Sequence, residues 1–215
     1  MTNAIEFVNS CWHIDDMGNK PTAKPTKSER TRAAILEAAR ELFMEFGYQA
    51  ATVRDVAHRA SIDPAMVIRY FGSKEELFAR AASIRLNVPQ LQVVDSQAIG
   101  ETLVRHFLNL WEGPESSCGM TVLLRSAASN EFAAEKMREV FAAQVRPVVA
   151  SVGDPATAAR RAGLVSSQLL GLAMCRYILR LPPVVDLSQA EIVRAIGPTL
   201  QSYVMATDED AMSKI

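Results

Sequence analysis

The sequence is short of the residues that build metal centres and disulfide frameworks. It holds 3 Cys and 3 His in 215 residues, and Cys11, Cys118 and Cys175 are odd in number, far apart and never in a CxxC pair. With only His13, His58 and His106 beside them no zinc spacing can be assembled, and Cys11-Trp12-His13 offers two ligands at most, so no metal or cofactor is expected. Charge of one sign is lacking as well. The net charge is -1, which announces no polyanion partner for the whole chain, so any such signal must be local. Long apolar runs are missing too. The longest stretch, AGLVSSQLLGLAMCRYIL (162–179), is broken by Ser166, Ser167, Gln168 and Arg176. A spanning helix needs about 20 mainly apolar residues, so this one reads as a helix buried all round. The N-terminus has neither the basic end nor the apolar run of a signal peptide. Together these absences predict a cytoplasmic protein with no membrane partner. Sustained strict alternation of the strand type is absent, which predicts an all-α fold. There is no nucleophile elbow, no HExxH and no Gly-rich dinucleotide loop, so the chain is not read as an enzyme. A helical enzyme and a pure interaction scaffold are the readings from other classes.

What is present is a real core, with 49% hydrophobic and 22% charged residues. It is joined by a local excess of positive charge. Residues 20–85 hold 12 Lys and Arg against 8 Asp and Glu, while the remainder holds 11 against 16. Residues 1–25, ending in the Pro- and Lys-bearing NKPTAKPTK, read as a disordered extension, and Met17 is a second possible start. From Thr26 the helix signals sharpen. Thr26-x-x-Glu29 is a capping box, Ile35, Ala39, Leu42, Phe43 and Phe46 mark one buried face, and Gly47 closes the helix. Thr52 with Asp55 opens a second helix, with Val53, Val56, Ala57 and Ala60 as its apolar stripe. Asp63 with Pro64 opens a third, and Ser73 a fourth that should run to about Arg85. Further helices are expected near 97–112, 115–128, 130–149, 155–181 and 188–205, with Pro182-Pro183 ending the long one, Ser188-x-x-Glu191 capping the last and Gly197-Pro198 bending it.

The stretch SIDPAMVIRYFGSKEELF (61–78) carries the chemistry. Helix, short turn, helix is the spacing of a helix-turn-helix, and the helix from Pro64 to Phe71 is punctuated at both ends. With Val67 and Phe71 facing inward, Ala65 and Arg69 point outward and Met66 and Ile68 flank them. A small residue, an arginine fork and two apolar side chains suit a major groove, where Arg reads guanine and apolar groups meet thymine methyls. Tyr70, Lys74 and the helix start at Thr52 with Arg54 beside it are candidates for the backbone phosphates, which position a reader without specifying sequence.

Residues from about 28 to 78, in the run RAAILEAARELFMEFGYQAATVRDVAHRASIDPAMVIRYFGSKEELF, resemble the DNA-binding domain of the tetracycline-repressor family of bacterial regulators. The helix lengths, Gly47, Thr52, Phe71 and Lys74 agree together. Ser61 departs from the family, whose members often have Gly in that turn, and Ile68 stands where many carry a DNA-contacting Tyr. The resemblance implies an all-α homodimer in which a three-helix DNA-binding domain (26–78) precedes a larger helical ligand-binding and dimerisation domain (79–205), followed by a tail (206–215). It also implies a palindromic double-stranded operator, usually repression, and a small-molecule effector; activation and ligand-independent DNA binding are the alternatives. The segments that line the family's cavity here carry Phe107, Trp111, Met120, Leu124, Met174 and Tyr177, with the polar His106 and Arg125 nearby. No charged cluster stands out among them, which points to a largely apolar effector.

Overall fold

The computed structural model describes residues 26–113 and 118–206. The extension over 1–25, with Cys11, Trp12, His13 and Met17, the front of the helix expected near 115–128, and the tail after 206 lie outside the described residues. All the regular structure among the described residues is helical. It divides into two compact units, 26–84 with 118–137 and 85–113 with 138–206.

The first unit opens with α1, Lys27–Ala50. The Thr26 N–H donates to Glu29 Oε2 at 2.7 Å and the Glu29 N–H donates back to Thr26 Oγ1 at 3.2 Å, so two orphan donors of the first turn are satisfied. Gly47 breaks the helical backbone with φ 73° and ψ 176°, and its lack of a Cβ is what permits that conformation. Then come α2 (Val53–Arg59), α3 (Pro64–Phe71), α4 (Lys74–Ala81) and α6 (Cys118–Ala127), the last packed on α1. Ile35, Ala39, Phe43, Val56, Val67, Leu77 and Phe78 are all but sealed from solvent. Each large one contributes about 1.5–3 kcal/mol relative to exposure. Phe43, Tyr48, Phe78 and Phe132 form one aromatic cluster, with the Phe78 ring edge-on to Phe43 at 5.1 Å and to Tyr48 at 5.0 Å. The Tyr48 N–H is fixed by buried Ser126 Oγ at 3.2 Å.

The second unit contains α5 (Ile99–Glu112), the end of α7 (Glu131–Val140), α8 (Arg146–Ala150), α9 (Ala158–Ala173), the short α10 (Pro182–Val185) and α11 (Gln189–Met205). Here α5 and α11 cross in close contact because both present glycine. A Cβ on Gly100 would run into the Gly197 carbonyl, and one on Gly197 would meet Glu101 Cγ at 3.1 Å. Gln201 clasps the crossing, accepting from the Gly100 N–H at 2.8 Å and donating to the Ser96 carbonyl at 2.7 Å. Arg161 is fully buried and donates to Thr157 Oγ1 and the carbonyls of Val152, Asp154 and Val204, joining α9 to the last turn of α11.

Several elements depart from the sequence expectation. The fourth helix stops at Ala81, because Ile84 and Leu86 bury their side chains from a non-helical segment and Asn87 takes a left-handed φ of 45° just before Val88-Pro89. Phe46 is 52% exposed rather than part of the buried face; it borders a shallow depression with Leu42, Ala50, His58 and Arg59. The helix expected over 130–149 passes through a π-helical turn at Phe141–Val145, and α9 ends in another at Met174–Ile178. Pro182-Pro183 starts a short helix as well as ending a long one, since proline is at home in a first turn. α9 is not buried all round in the single chain. Gly163, Leu164, Ser167 and Gly171 are exposed, and a Cβ on either glycine would meet open space.

Candidate nucleic-acid interface

The α2–turn–α3 unit is set by local chemistry at each corner. α2 is capped by Thr52, whose Oγ1 accepts from the Asp55 N–H at 3.2 Å while Asp55 Oδ2 accepts from the Thr52 hydroxyl at 2.6 Å and its N–H at 3.0 Å. At its other end the Ile62 N–H reaches the Ala57 carbonyl at 2.9 Å and the Ser61 N–H the His58 carbonyl at 3.1 Å. This is a Schellman closure, with Ser61 at the left-handed position (φ 54°) that glycine usually fills. Asp63 then accepts from the Ala65 N–H at 2.7 Å, Pro64 occupies the first helical position, and Gly72 at φ 83° ends α3. Two turns of helix are thereby fixed at both ends.

Val67 and Phe71 anchor α3, at 1% and 5% exposure. Ala65, Ile68 and Arg69 are exposed and Met66 half-buried, so the structure gathers the four candidate base readers on one outer face. Arg69 has no partner among the described residues, and neither has exposed Arg54. Tyr70 is half-buried, and its hydroxyl donates to Ser28 Oγ at 3.2 Å, tying α3 to the first turn of α1. Thr52 is exposed, but its hydroxyl and N–H are both engaged by Asp55, which already places a carboxylate at that helix start. Lys74 turns its ammonium over the Tyr48 ring, 4.4 Å from the centroid, and donates to the Gln49 carbonyl at 3.3 Å. Burial holds its pKa below the ordinary lysine value, against the opposing pull of Glu75 and Asp55.

Of the candidate ligand residues, the second unit brings Phe107, Trp111 and Tyr177 together. Trp111 stacks on Tyr177 at 4.5 Å and 2°, with Phe107 6.1 Å from one ring and 6.3 Å from the other. Met174 opens the π-helical turn that carries Tyr177, whereas Met120 and Leu124 belong to α6 in the first unit. Arg125 is exposed, and His106 Nε2 lies 2.6 Å from the Leu86 carbonyl, which can only accept, so that nitrogen carries the proton.

Sequence reasoning missed the polar half of this site. Glu112 accepts from the Tyr177 hydroxyl at 2.6 Å, Arg176 Nε at 2.8 Å and Gln189 Nε2 at 2.8 Å, and Arg176 also donates to the carbonyls of Val184, Val185 and Leu187. A charged pair therefore does adjoin the aromatic residues, but it is internally neutralised. Burial pushes the Glu112 pKa up, yet the bonds from Tyr177, Gln189 and Arg176 outweigh it and leave the carboxyl below its ordinary value. Burial, with the hydrogen bond donated to Glu112, drives the Tyr177 hydroxyl pKa well above the usual range. Trp111 Nε1 is buried without a partner among the described residues.

The comparisons with known proteins bear on both units. Residues 35–81 match the family model described as bacterial regulatory proteins, tetR family, and residues 97–204 match the tetracyclin repressor-like C-terminal domain. The chain belongs to the tetracycline-repressor (TetR) family. A helix-turn-helix transcriptional repressor of Mycobacterium tuberculosis is 36% identical over 81 residues, covering 38% of this chain and 43% of that protein. The repressor AcnR of Corynebacterium glutamicum is 36% identical over 101 residues, covering 47% and 50%. The chain thus spans about half the length or less of these two relatives. A TetR-family regulator of Streptomyces coelicolor, solved by crystallography, aligns over 84% of this chain and 97% of its own at 29% identity and a TM-score of 0.56.

Proposed function

We propose that this TetR-family chain is a transcriptional repressor that binds a palindromic double-stranded DNA operator as a homodimer and is released by a small-molecule effector in the cytoplasm. The observation that carries the reading is the outer face of α3, where Arg69, without a partner among the described residues, stands with Ala65, Met66 and Ile68 on a helix fixed at both ends. In this reading those four side chains meet base edges, and Thr52, Arg54, Tyr70 and Lys74 meet phosphates. Residues 26–78 are the DNA-binding part and 79–205 the effector and dimerisation part.

Dimerisation is supported by the exposed small-residue face of α9 (Gly163, Ser167, Gly171) and by exposed Ala195, Pro198 and Ser202 on α11. Such faces let two helix pairs approach closely. An effector is supported by the Phe107, Trp111 and Tyr177 cluster, whose buried indole N–H has no partner among the described residues, a donor that costs about 1–3 kcal/mol if left unsatisfied. The ligand this favours is largely apolar and planar with one hydrogen-bond acceptor. Helix α5 gives it a route outward, because the same helix that carries Phe107 and Trp111 holds the Leu86 carbonyl through His106, while Gln144 holds the Leu86 N–H at 2.7 Å. A ligand acts here only by binding one arrangement of that helix better than another.

The test is selection of bound duplexes from a random pool by the protein and by Arg69→Ala. The protein should enrich a two-fold symmetric site, and the variant should lose preference at one or two positions per half-site, about 1–3 kcal/mol of discrimination at each. An identical preference profile for both would remove Arg69 from the readers.

A further inference from the structure

Two acidic groups lie close enough to act on the Lys74 ammonium, those of Glu75 and Asp55, and neither is paired with it. Each is held by a hydroxyl instead. Asp55 accepts a hydrogen bond from the Thr52 hydroxyl at 2.6 Å, inside the cap of α2, and Glu75 Oε1 accepts one from the Tyr48 hydroxyl at 2.7 Å. Meanwhile Lys74 is held by groups without net charge, the Tyr48 ring face at 4.4 Å and the Gln49 carbonyl at 3.3 Å. A cation on an aromatic face keeps its full charge while losing part of its freedom. One side chain, Tyr48, therefore touches a cation with its face and the neighbouring anion with its hydroxyl.

We propose that Tyr48 is a positioning residue for phosphate binding, its ring holding the Lys74 ammonium in place and its hydroxyl keeping the Glu75 carboxylate from neutralising it. The inference rests on the reading of Lys74 as a phosphate contact. Tyr48 is itself rigid, because its ring is wedged against Phe43, Phe78 and Phe132 and its N–H is bonded to Ser126. The division of charge also holds across the working pH range. Burial and the Glu75 carboxylate push the Tyr48 hydroxyl up to about 12, so it remains a donor, and the bond from Tyr48 keeps Glu75 below the ordinary carboxylate value, so it remains an acceptor. A phenylalanine would fill the same space and offer the same ring face. What it lacks is the hydroxyl that occupies Glu75.

The experiment is fluorescence anisotropy of a labelled duplex of arbitrary sequence, titrated with full-length protein at salt from about 50 to 200 mM, because each neutralised phosphate adds close to one unit to the slope of log K against log salt. Lys74→Ala should lower that slope by about one per protomer. Tyr48→Phe, which keeps the ring and the core volume, should lower it in the same direction by at least half as much. Tyr48→Phe combined with Glu75→Gln should restore it, since the released side chain then carries no charge. A structural role for the hydroxyl alone would not respond to Glu75→Gln, and thermal melts establish that each variant is folded during the titration. If Lys74→Ala lowers the slope but Tyr48→Phe matches the unmodified protein, or the double variant stays low, the role given to Tyr48 is wrong while the Lys74 contact stands. A slope unchanged by Lys74→Ala would remove the phosphate contact and the inference with it.

Discussion

At the scale of single residues, Ser61 is where the sequence works against its own backbone. It sits at φ 54°, in the turn that aims α3, where a Cβ crowds the following carbonyl at about 1–2 kcal/mol. The hydrogen bonds of the closure and the burial of Val67 and Phe71 beyond it hold the conformation in place. Ser61→Gly should relieve the strain, offset in part by the larger unfolded-state entropy of glycine, for a net gain of about 0.5–1 kcal/mol. Chemical denaturation checks it: the midpoint should rise with an unchanged slope, whereas a lower midpoint would mean that the seryl side chain stabilises the turn. Tyr48 and Lys74 teach a different lesson at this scale. Their partnership joins residues 26 apart in sequence through a ring face, and no spacing rule announces such a contact.

Among the elements, legibility followed how local the cause was. Thr26 with Glu29, Thr52 with Asp55, and Ser188 with Glu191 all form the reciprocal caps that their spacing predicts, and Asp63-Pro64 and Ser73 start α3 and α4 as read. Those signals act within four residues, so they survive in the sequence. The end of α4 at Ala81 is decided by where Ile84 and Leu86 find burial, and the exposure of Phe46 by what does and does not pack beside the end of α1, neither of which local propensity contains. The Glu112 network was hidden for the same reason, since its donors Arg176, Tyr177 and Gln189 lie 64 to 77 residues away. That network joins the end of α5, a π-helical turn and the start of α11, and it has a pH signature. Glu112 has a folded pKa below its ordinary value of 4.5, so it contributes stability above that value and loses the contribution as pH falls through the folded pKa. Glu112→Gln should therefore lower Tm at neutral pH and narrow the gap to the unmodified protein as the medium is acidified below 4.5. A gap that stays constant with pH would mean the carboxylate charge adds nothing.

For the whole molecule, one family assignment covers both units, with α3 leaving Ala65, Ile68 and Arg69 exposed and α9 and α11 leaving small-residue faces exposed on the single chain. Under the proposed function, two reading heads related by a two-fold axis would impose a symmetric site, and the half-site spacing would become a property of the dimer. No helix among the described residues is long and apolar enough to cross a membrane. The modest local basic excess in 20–85 fits a reader that gains its specificity from placed contacts and has little charge to spare for indiscriminate binding.

The most direct measurement of sequence-specific binding by a dimer is an anisotropy titration of the selected symmetric duplex against a scrambled duplex of equal length, in the presence of competitor DNA. The account predicts one protein dimer per symmetric duplex, bound about 10³-fold or more tighter than the scrambled one, with the salt slope of a multi-phosphate contact. Equal affinity for both duplexes, or binding by single chains to isolated half-sites with no gain from their symmetric pairing, would contradict it.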